Sequence, residues 1–179
     1  SSCYGNTKVP TGESNSISLL HPYAASKYYG EQLCLHWNKV YKMPINSIRI
    51  FNAYGTRVSF NQGYGAAFSI FLKQKLESKP LTIVGNGKQK RDFIYATDLV
   101  RAFYMSAKSK YSGEIYNLGT GKPVTVNHIA KLIGGKTINI PKRPGEPDIT
   151  QANISKIKKH LNWKPNINIS DGIEMMLKK

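Results

Sequence analysis

Apolar residues recur along this chain at two spacings, one near 3.6 and one near 2, and the change from one to the other marks out its elements. Residues 10–22 hold Pro10, Gly12, Asn15, Ser16 and Pro22 and read as a loop. From about residue 23 to 41 the spacing is helical, about five turns at 3.6 residues each. Ala24, Tyr28 and Leu35 share one face, and Tyr29, Leu33, Trp37 and Val40 the opposite one. A helix apolar on both sides is expected to be covered on both. NSIRIF at 46–51 reads as a strand, followed by NAYG as a turn-rich loop. A helix is expected at about 66–79, ended by Pro80. LTIV at 81–84 reads as a strand, and Asn86-Gly87 as a hairpin turn leading to RDFIY at 91–95 as its partner. Thr97 or Asp98 is placed to cap a helix running to about Lys108. EIYNLG at 114–119 reads as a buried strand, Thr125 as the cap of a short helix through Leu132, and TINI at 137–140 as a strand. Two short helices follow residue 153, separated by the Asn162–Pro165 turn. Strands alternate with helices, so the class is α/β or α+β, without internal repeats.

Length and charge narrow the picture. A chain of 179 residues suits one domain or a piece of a larger protein. No apolar run reaches bilayer length, and no signal peptide is visible. Cys3 and Cys34 form no metal or redox spacing, so a reduced, cytoplasmic protein without a metal site is expected. The net charge of +16 invites nucleic acid, a membrane surface or a phosphorylated small molecule. Lys156, Lys158 and Lys159, or Lys178 and Lys179, read instead as solvated helix faces. Zinc-finger and RNA-recognition spacings are absent, which disfavours nucleic acid as partner. The opening SSCYG has no flexible lead-in and reads as a start inside a structured element.

The chemistry concentrates in HPYAASKYYGEQ at 21–32. Tyr23 and Lys27 stand at i and i+4, one helical turn apart on one face. A phenol titrates near about 10, and an adjacent positive charge favours the phenolate, which is a usable general base. The plain alternative is two exposed residues at helical spacing. Glycine motifs for a dinucleotide are missing. GNGKQK at 85–90 lacks the third glycine, GYGAAF at 63–68 has no preceding strand, and GTGKPV at 119–124 places Pro123 and Val124 where a helix should start.

The ordered set SSCYG, YAASK, RIFNAYGTR, PLTIVGNGKQKRDFIYATDLV, IYNLGTG, RPGEP and a final AN-x-SK-x-x-x-x-L-x-W-x-P resembles the extended short-chain dehydrogenase/reductase family of nucleotide-sugar epimerases and dehydratases. The resemblance covers essentially the whole chain. It implies an α/β fold, the C-terminal part of a Rossmann-type enzyme with the small substrate-binding domain, the glycine-rich first half being absent. Residues 1–57 would complete the NAD-binding domain. Residues 58–179 would be mainly the nucleotide-sugar domain, with 91–120 returning in part to the first. Tyr23 would be the catalytic base and Lys27 its partner, which also holds the nicotinamide ribose of NAD. The family's catalytic Ser or Thr would fall just before Ser1. Ser1 and Ser2 would then line the sugar pocket, the alternative being simple loop polarity. Asn52 would meet the nucleotide diphosphate, or else be a turn residue. Ile50 and Phe51 would pass the nicotinamide, or else be strand core. Arg91 and Arg143 would clamp the pyrophosphate, a task suited to guanidinium forks, or else be surface charge in a cation-rich chain. Glu146 would accept from the ribose hydroxyls and Val84 would border the base, the alternatives being a solvated loop charge and strand core. Asp92 reads as structural. Ser1 and Ser2 stand where dehydratases of the family carry Asp-Glu, so water elimination loses its acid and base, and an epimerase is favoured. Thr150 stands where some hexose 4-epimerases carry a bulky residue, which leaves room for an N-acetyl group. The resemblance implies NAD-dependent C4 epimerisation of a UDP-sugar by the complete enzyme, with this stretch inactive alone, and a homodimer through the Tyr23–Lys27 helix. Other reductase, dehydratase or decarboxylase chemistry on a nucleotide sugar remains open, as does a non-catalytic, RNA-binding member.

Overall fold

A computed structural model describes residues 1–58, 67–142 and 146–178. A 3-10 turn at Ser2–Tyr4 leads through the loop to helix α1 (Pro22–Tyr41). Pro22 sits in the first turn, where its missing N–H costs nothing, and the His21 imidazole accepts from the Ala24 N–H at 3.2 Å. Strands β1 (Ser47–Ile50) and β2 (Asn52–Tyr54) follow, then helix α2 (Ala67–Leu76) and strands β3 (Leu81–Val84), β4 (Lys90–Arg91) and β5 (Phe93–Tyr95). Helix α3 (Ala96–Ala107), strands β6 (Ile115–Leu118) and β7 (Val124–Thr125), helix α4 (Val126–Ile133), strand β8 (Thr137–Ile140) and helices α5 (Ser155–Leu161) and α6 (Ile169–Leu177) complete the chain. Thr125 caps α4 as expected, its hydroxyl accepting from the His128 N–H at 3.1 Å.

Parallel ladders dominate. β1 pairs with β6, β2 with β5 and β3 with β8, all parallel; β4 pairs with β7 antiparallel. The expected last strands of one parallel sheet are thus four two-stranded ladders among the described residues. The break has a local cause. At Phe51 the chain changes partner: its N–H still bonds Leu118 at 2.9 Å, whereas that of Asn52 bonds Asp92 at 3.0 Å. NAYG therefore supplies a strand, not a loop.

The expected 81–95 hairpin does not form, because β3 lies beside β8, with Val84 opposite Ile140. Gly87 turns at φ +69°, and a Cβ there would meet the Asn127 amide oxygen at 1.9 Å. This turn packs on α4 and leads to β4. Neither Thr97 nor Asp98 caps α3, whose N-cap is Tyr95. The Asp98 carboxylate instead accepts from the N–H groups of Asn166 and Ile167 at 2.8 and 2.9 Å and so anchors the C-terminal tail. Nor is α1 covered on both sides: Tyr29, Leu33 and Val40 are more than 60% exposed.

Two apolar clusters flank β5, whose side chains alternate between them. Ile94 joins Phe51, Tyr116, Leu118, Ile157 and Trp163, while Phe93 and Tyr95 join Tyr54, Phe68, Phe71, Leu81 and Ile129. No described helix is long and apolar enough to cross a membrane.

Candidate active site

Helix geometry delivers the Tyr23–Lys27 pair as the spacing requires. The Lys27 ammonium lies 5.4 Å from the centroid of the Tyr23 ring, within cation–π range. Tyr23 is 62% exposed, and His21 stacks beside it at 6.2 Å between ring centroids. The phenol is thus open to a ligand on one side and held against a cation on the other. Ser1 and Ser2 are half-buried, and the Ser1 nitrogen donates to the Ile50 carbonyl at 2.9 Å. This sets the serine turn at the carboxyl end of β1. Ile50 is half-buried beside it; the Phe51 side chain is buried in the first core.

A buried polar network joins the serine turn to α1. Glu31, one turn beyond Lys27, forms a bidentate pair with Arg49, both bonds at 2.7 Å. Arg49 also donates to the Tyr4 hydroxyl at 2.7 Å and lies over its ring. Tyr4 in turn donates to Asn117 at 2.7 Å. Burial pushes the Tyr4 phenol up, against the pull of Arg49, so it stays a donor. Burial works against the Arg49 charge, but its bonds to Glu31 and Tyr4 prevail and hold it above its ordinary value. Sequence reading passed over this network. Its signal was there: a charged residue between Ile48 and Ile50 in a strand, and an acid at i+4 from Lys27.

The second group gathers at the carboxyl ends of parallel strands β3 and β8, where open α/β sheets place their ligands. A cavity of about 380 Å³ opens there, lined by Val84, Lys88, Lys142, Glu146 and Asp148 among others. Arg91, on β4, pairs with Glu146 at 2.8 Å and donates to the Lys90 carbonyl at 2.9 Å. Lys142 pairs with Asp148 at 2.7 Å and holds that carboxyl below its usual range. Asn52 meets Thr150 at 3.4 Å. Val84, Arg91 and Glu146 are therefore brought together, while Tyr23 and Lys27 do not line this cavity. Arg143 lies outside the described residues, as does most of GYGAAF. Asp92 is fully buried and accepts from the backbone of Thr120, Gly121 and Ala152, which closes the loop after β6.

Comparison with known proteins places these features in context. The family profile described as GDP-mannose 4,6 dehydratase matches residues 1–176. An uncharacterized UDP-glucose epimerase of Bacillus subtilis is 36% identical over 97% of this chain and 56% of its own length. A UDP-glucuronate 4-epimerase of Thermodesulfobacterium geofontis is 36% identical over 97% of this chain and 55% of its own. The crystal structure of a UDP-glucuronic acid 4-epimerase from Bacillus cereus, in complex with UDP-glucuronic acid and NAD, superimposes with a TM-score of 0.89 at 34% identity. That match takes in 99% of this chain and 58% of the other. The chain thus spans about half the length of the curated relatives it matches. The expected placement as the C-terminal part of such an enzyme, with its glycine-rich half absent, is corrected by this finding. What the matches carry is an α/β, Rossmann-like fold over 55–56% of the curated relatives' length, and the assignment to a C-terminal half is withdrawn.

Proposed function

This chain belongs to the GDP-mannose 4,6 dehydratase family of NAD-dependent nucleotide-sugar epimerases and dehydratases, extended short-chain dehydrogenases/reductases, and on that premise we propose that the whole protein is a 4-epimerase of a UDP-sugar. The observation that carries the reading is the Lys27 ammonium over the exposed Tyr23 ring. A ligand hydroxyl can reach the phenol, and the Lys27 ammonium stands over its ring. Tyr23 takes the proton from the sugar's C4 hydroxyl and later returns it. Lys27 stabilises the phenolate and reaches the nicotinamide ribose. Bound NAD supplies the hydride acceptor and donor. The serine turn, with Ile50 beside it, fits a nicotinamide and sugar face, because both meet the solvent edge at the carboxyl end of β1.

The cavity beyond β3 and β8 supports the nucleotide part of the reading. Val84 offers an apolar edge for a base, Asn52 and Arg91 suit a diphosphate, and Glu146 suits a diol. Ser1 and Ser2, in place of an acid pair, favour epimerisation over water elimination. Two units are consistent with the two apolar clusters, with 91–120 contributing to both, although Tyr54 packs in the second cluster and Ala152, Ile154, Ile157, Leu161 and Trp163 pack in the first. The exposed stripe Tyr29, Leu33, Trp37 and Val40 on α1 supports a homodimer through that helix.

The test is Tyr23→Phe in the full-length protein, assayed for interconversion of UDP-glucose and UDP-glucuronate with their C4 epimers. Loss of a general base lowers kcat by at least about a hundredfold. Turnover equal to wild type would remove Tyr23 from the chemistry and the epimerase reading with it.

A further inference from the structure

We propose that His21 is a positioning residue for Tyr23 and a proton switch on it: the neutral imidazole holds the first turn of α1 and flanks the phenol ring, and the protonated imidazole releases both. The positioning role rests on the reading of Tyr23 as the base. The switch is a property of α1 and is read without turnover.

Tyr23 occupies the weakest part of its helix. It is the second residue of α1, and the first turn of a helix has N–H groups with no intrahelical acceptor. Lys27 lies one turn further on, so the contact between the two holds only while that first turn stays helical. His21 supplies an acceptor from outside the turn. Its Nδ1 accepts from the Ala24 N–H at 3.2 Å, and Ala24 is buried, so leaving that N–H unpaired is costly. The same ring lies against the Tyr23 ring, with 6.2 Å between centroids and 21° between planes. One side chain therefore fixes the backbone around Tyr23 and flanks its phenol.

Helix caps are ordinarily Ser, Thr, Asp or Asn, whose oxygens accept throughout the neutral range. An imidazole accepts only while it is neutral. With Nδ1 as the acceptor, the ring proton sits on Nε2. A further proton must go to Nδ1, where it faces the Ala24 N–H, donor against donor. The added charge also meets the positive end of the helix dipole and brings a second cation to the Tyr23 ring beside Lys27. The first turn holds no acid to balance it. From the elements packed on α1, the titratable or charged groups are Cys3 and Tyr4 of the serine turn and Arg49 of β1. All three are buried, Tyr4 and Arg49 are bonded to each other and Arg49 to Glu31, and among the described residues none of the three bonds the imidazole. Protonation thus removes the cap and drives the ring from its place against Tyr23.

Nuclear magnetic resonance of the full-length protein, labelled at alanine, tyrosine and histidine, tests this as pH is lowered from about 8 to about 5.5, the span over which an imidazole changes charge. At the upper pH the His21 nitrogens should report the Nε2–H form. As His21 takes up its proton, the Ala24 amide should exchange about fivefold faster relative to an unstructured chain at the same pH, the scale of a lost cap. The Tyr23 ring carbons should shift with the same midpoint. His21→Asn supplies an acceptor that does not titrate, so both responses should vanish. If neither follows the His21 proton in wild type, or if His21→Asn keeps the wild-type response, the switch is refuted. The wild-type titration decides the coupling by itself even where the variant fails to fold. If Ala24 follows and the Tyr23 ring does not, His21 is a cap alone and the positioning role is refuted. In turnover of a UDP-sugar, the fall in kcat on acidification should be smaller in His21→Asn than in wild type, and equal falls also refute that role. A protein that shows both resonance responses but turns over no UDP-sugar retains the switch and loses the epimerase reading.

Discussion

Replacing Glu31 by Gln tests how much the network beneath α1 stabilises the fold that carries Tyr23 and Lys27. Glu31 and Arg49 are each 6% exposed at the side chain, so water cannot take over a lost partner. The substitution keeps the shape of Glu31 and removes its charge. Arg49 then keeps the Tyr4 hydroxyl at 2.7 Å and the Glu13 carbonyl at 3.2 Å, both neutral. One of the two charge-assisted bonds becomes a bond to a neutral amide oxygen and the other is lost, because the amide nitrogen only donates; each is worth about 1.5–3 kcal/mol. Stranding one charge of a buried pair costs about 3–5 kcal/mol by the same logic. For a chain of this size about 1 kcal/mol moves Tm by about 2–4 °C, so a fall on the order of 6–20 °C is expected. The assay is urea unfolding of wild type and Glu31→Gln, with Glu174→Gln as reference. Glu174 pairs with Lys178 at 62% and 72% exposure, and breaking that pair should cost well under about 1 kcal/mol. A double variant with apolar residues at both Glu31 and Arg49 should recover much of the loss, since a buried pair is weak support but its half is a strong liability. If Glu31→Gln shifts the urea midpoint no more than Glu174→Gln does, the network does not bear on stability and the argument for it fails.

Two further outcomes follow from burial and exposure. Burial pushes the Tyr116 phenol up to about 12, with the His160 imidazole 3.1 Å from its hydroxyl. The folded state then holds this proton more tightly than the unfolded one, so the stabilisation is complete below about pH 10 and is lost as pH rises through about 12. Tyr116→Phe should flatten that alkaline loss in urea titrations at pH 9 and 11.5, and an unchanged slope would exclude Tyr116 as its source. On α1, Leu33→Glu places a charge in the stripe with Tyr29, Trp37 and Val40; sedimentation of the full-length protein should show a dimer become a monomer, and an unaltered mass would move the interface elsewhere.

What the sequence disclosed about this molecule depended on the range of the interaction. The Thr125 cap of α4 and the Tyr23–Lys27 contact are set within four residues and followed from the local sequence, whereas the start of α3, with Tyr95 as its cap, did not. Strand partners are set over long separations, and there the local signal misled. Asn86-Gly87 is a turn, but closing a hairpin would have deprived β3 of β8, whose register puts Val84 beside Ile140 and leaves Leu81 and Ile83 buried in the second core. The same limit hid the polar network, because Tyr4, Glu31, Arg49 and Asn117 meet across separations of up to 113 residues. Arg49 between two isoleucines and Glu31 four residues after Lys27 hint at burial but name no partner; only the parallel pairing of β1 with β6 sets Arg49 opposite Asn117 and lets Tyr4 reach both. The consequence is functional. The serine turn and the Tyr23–Lys27 helix are joined by buried side chains that bond to one another, so a substitution in that network should disturb the pair while leaving every cavity-lining residue in place.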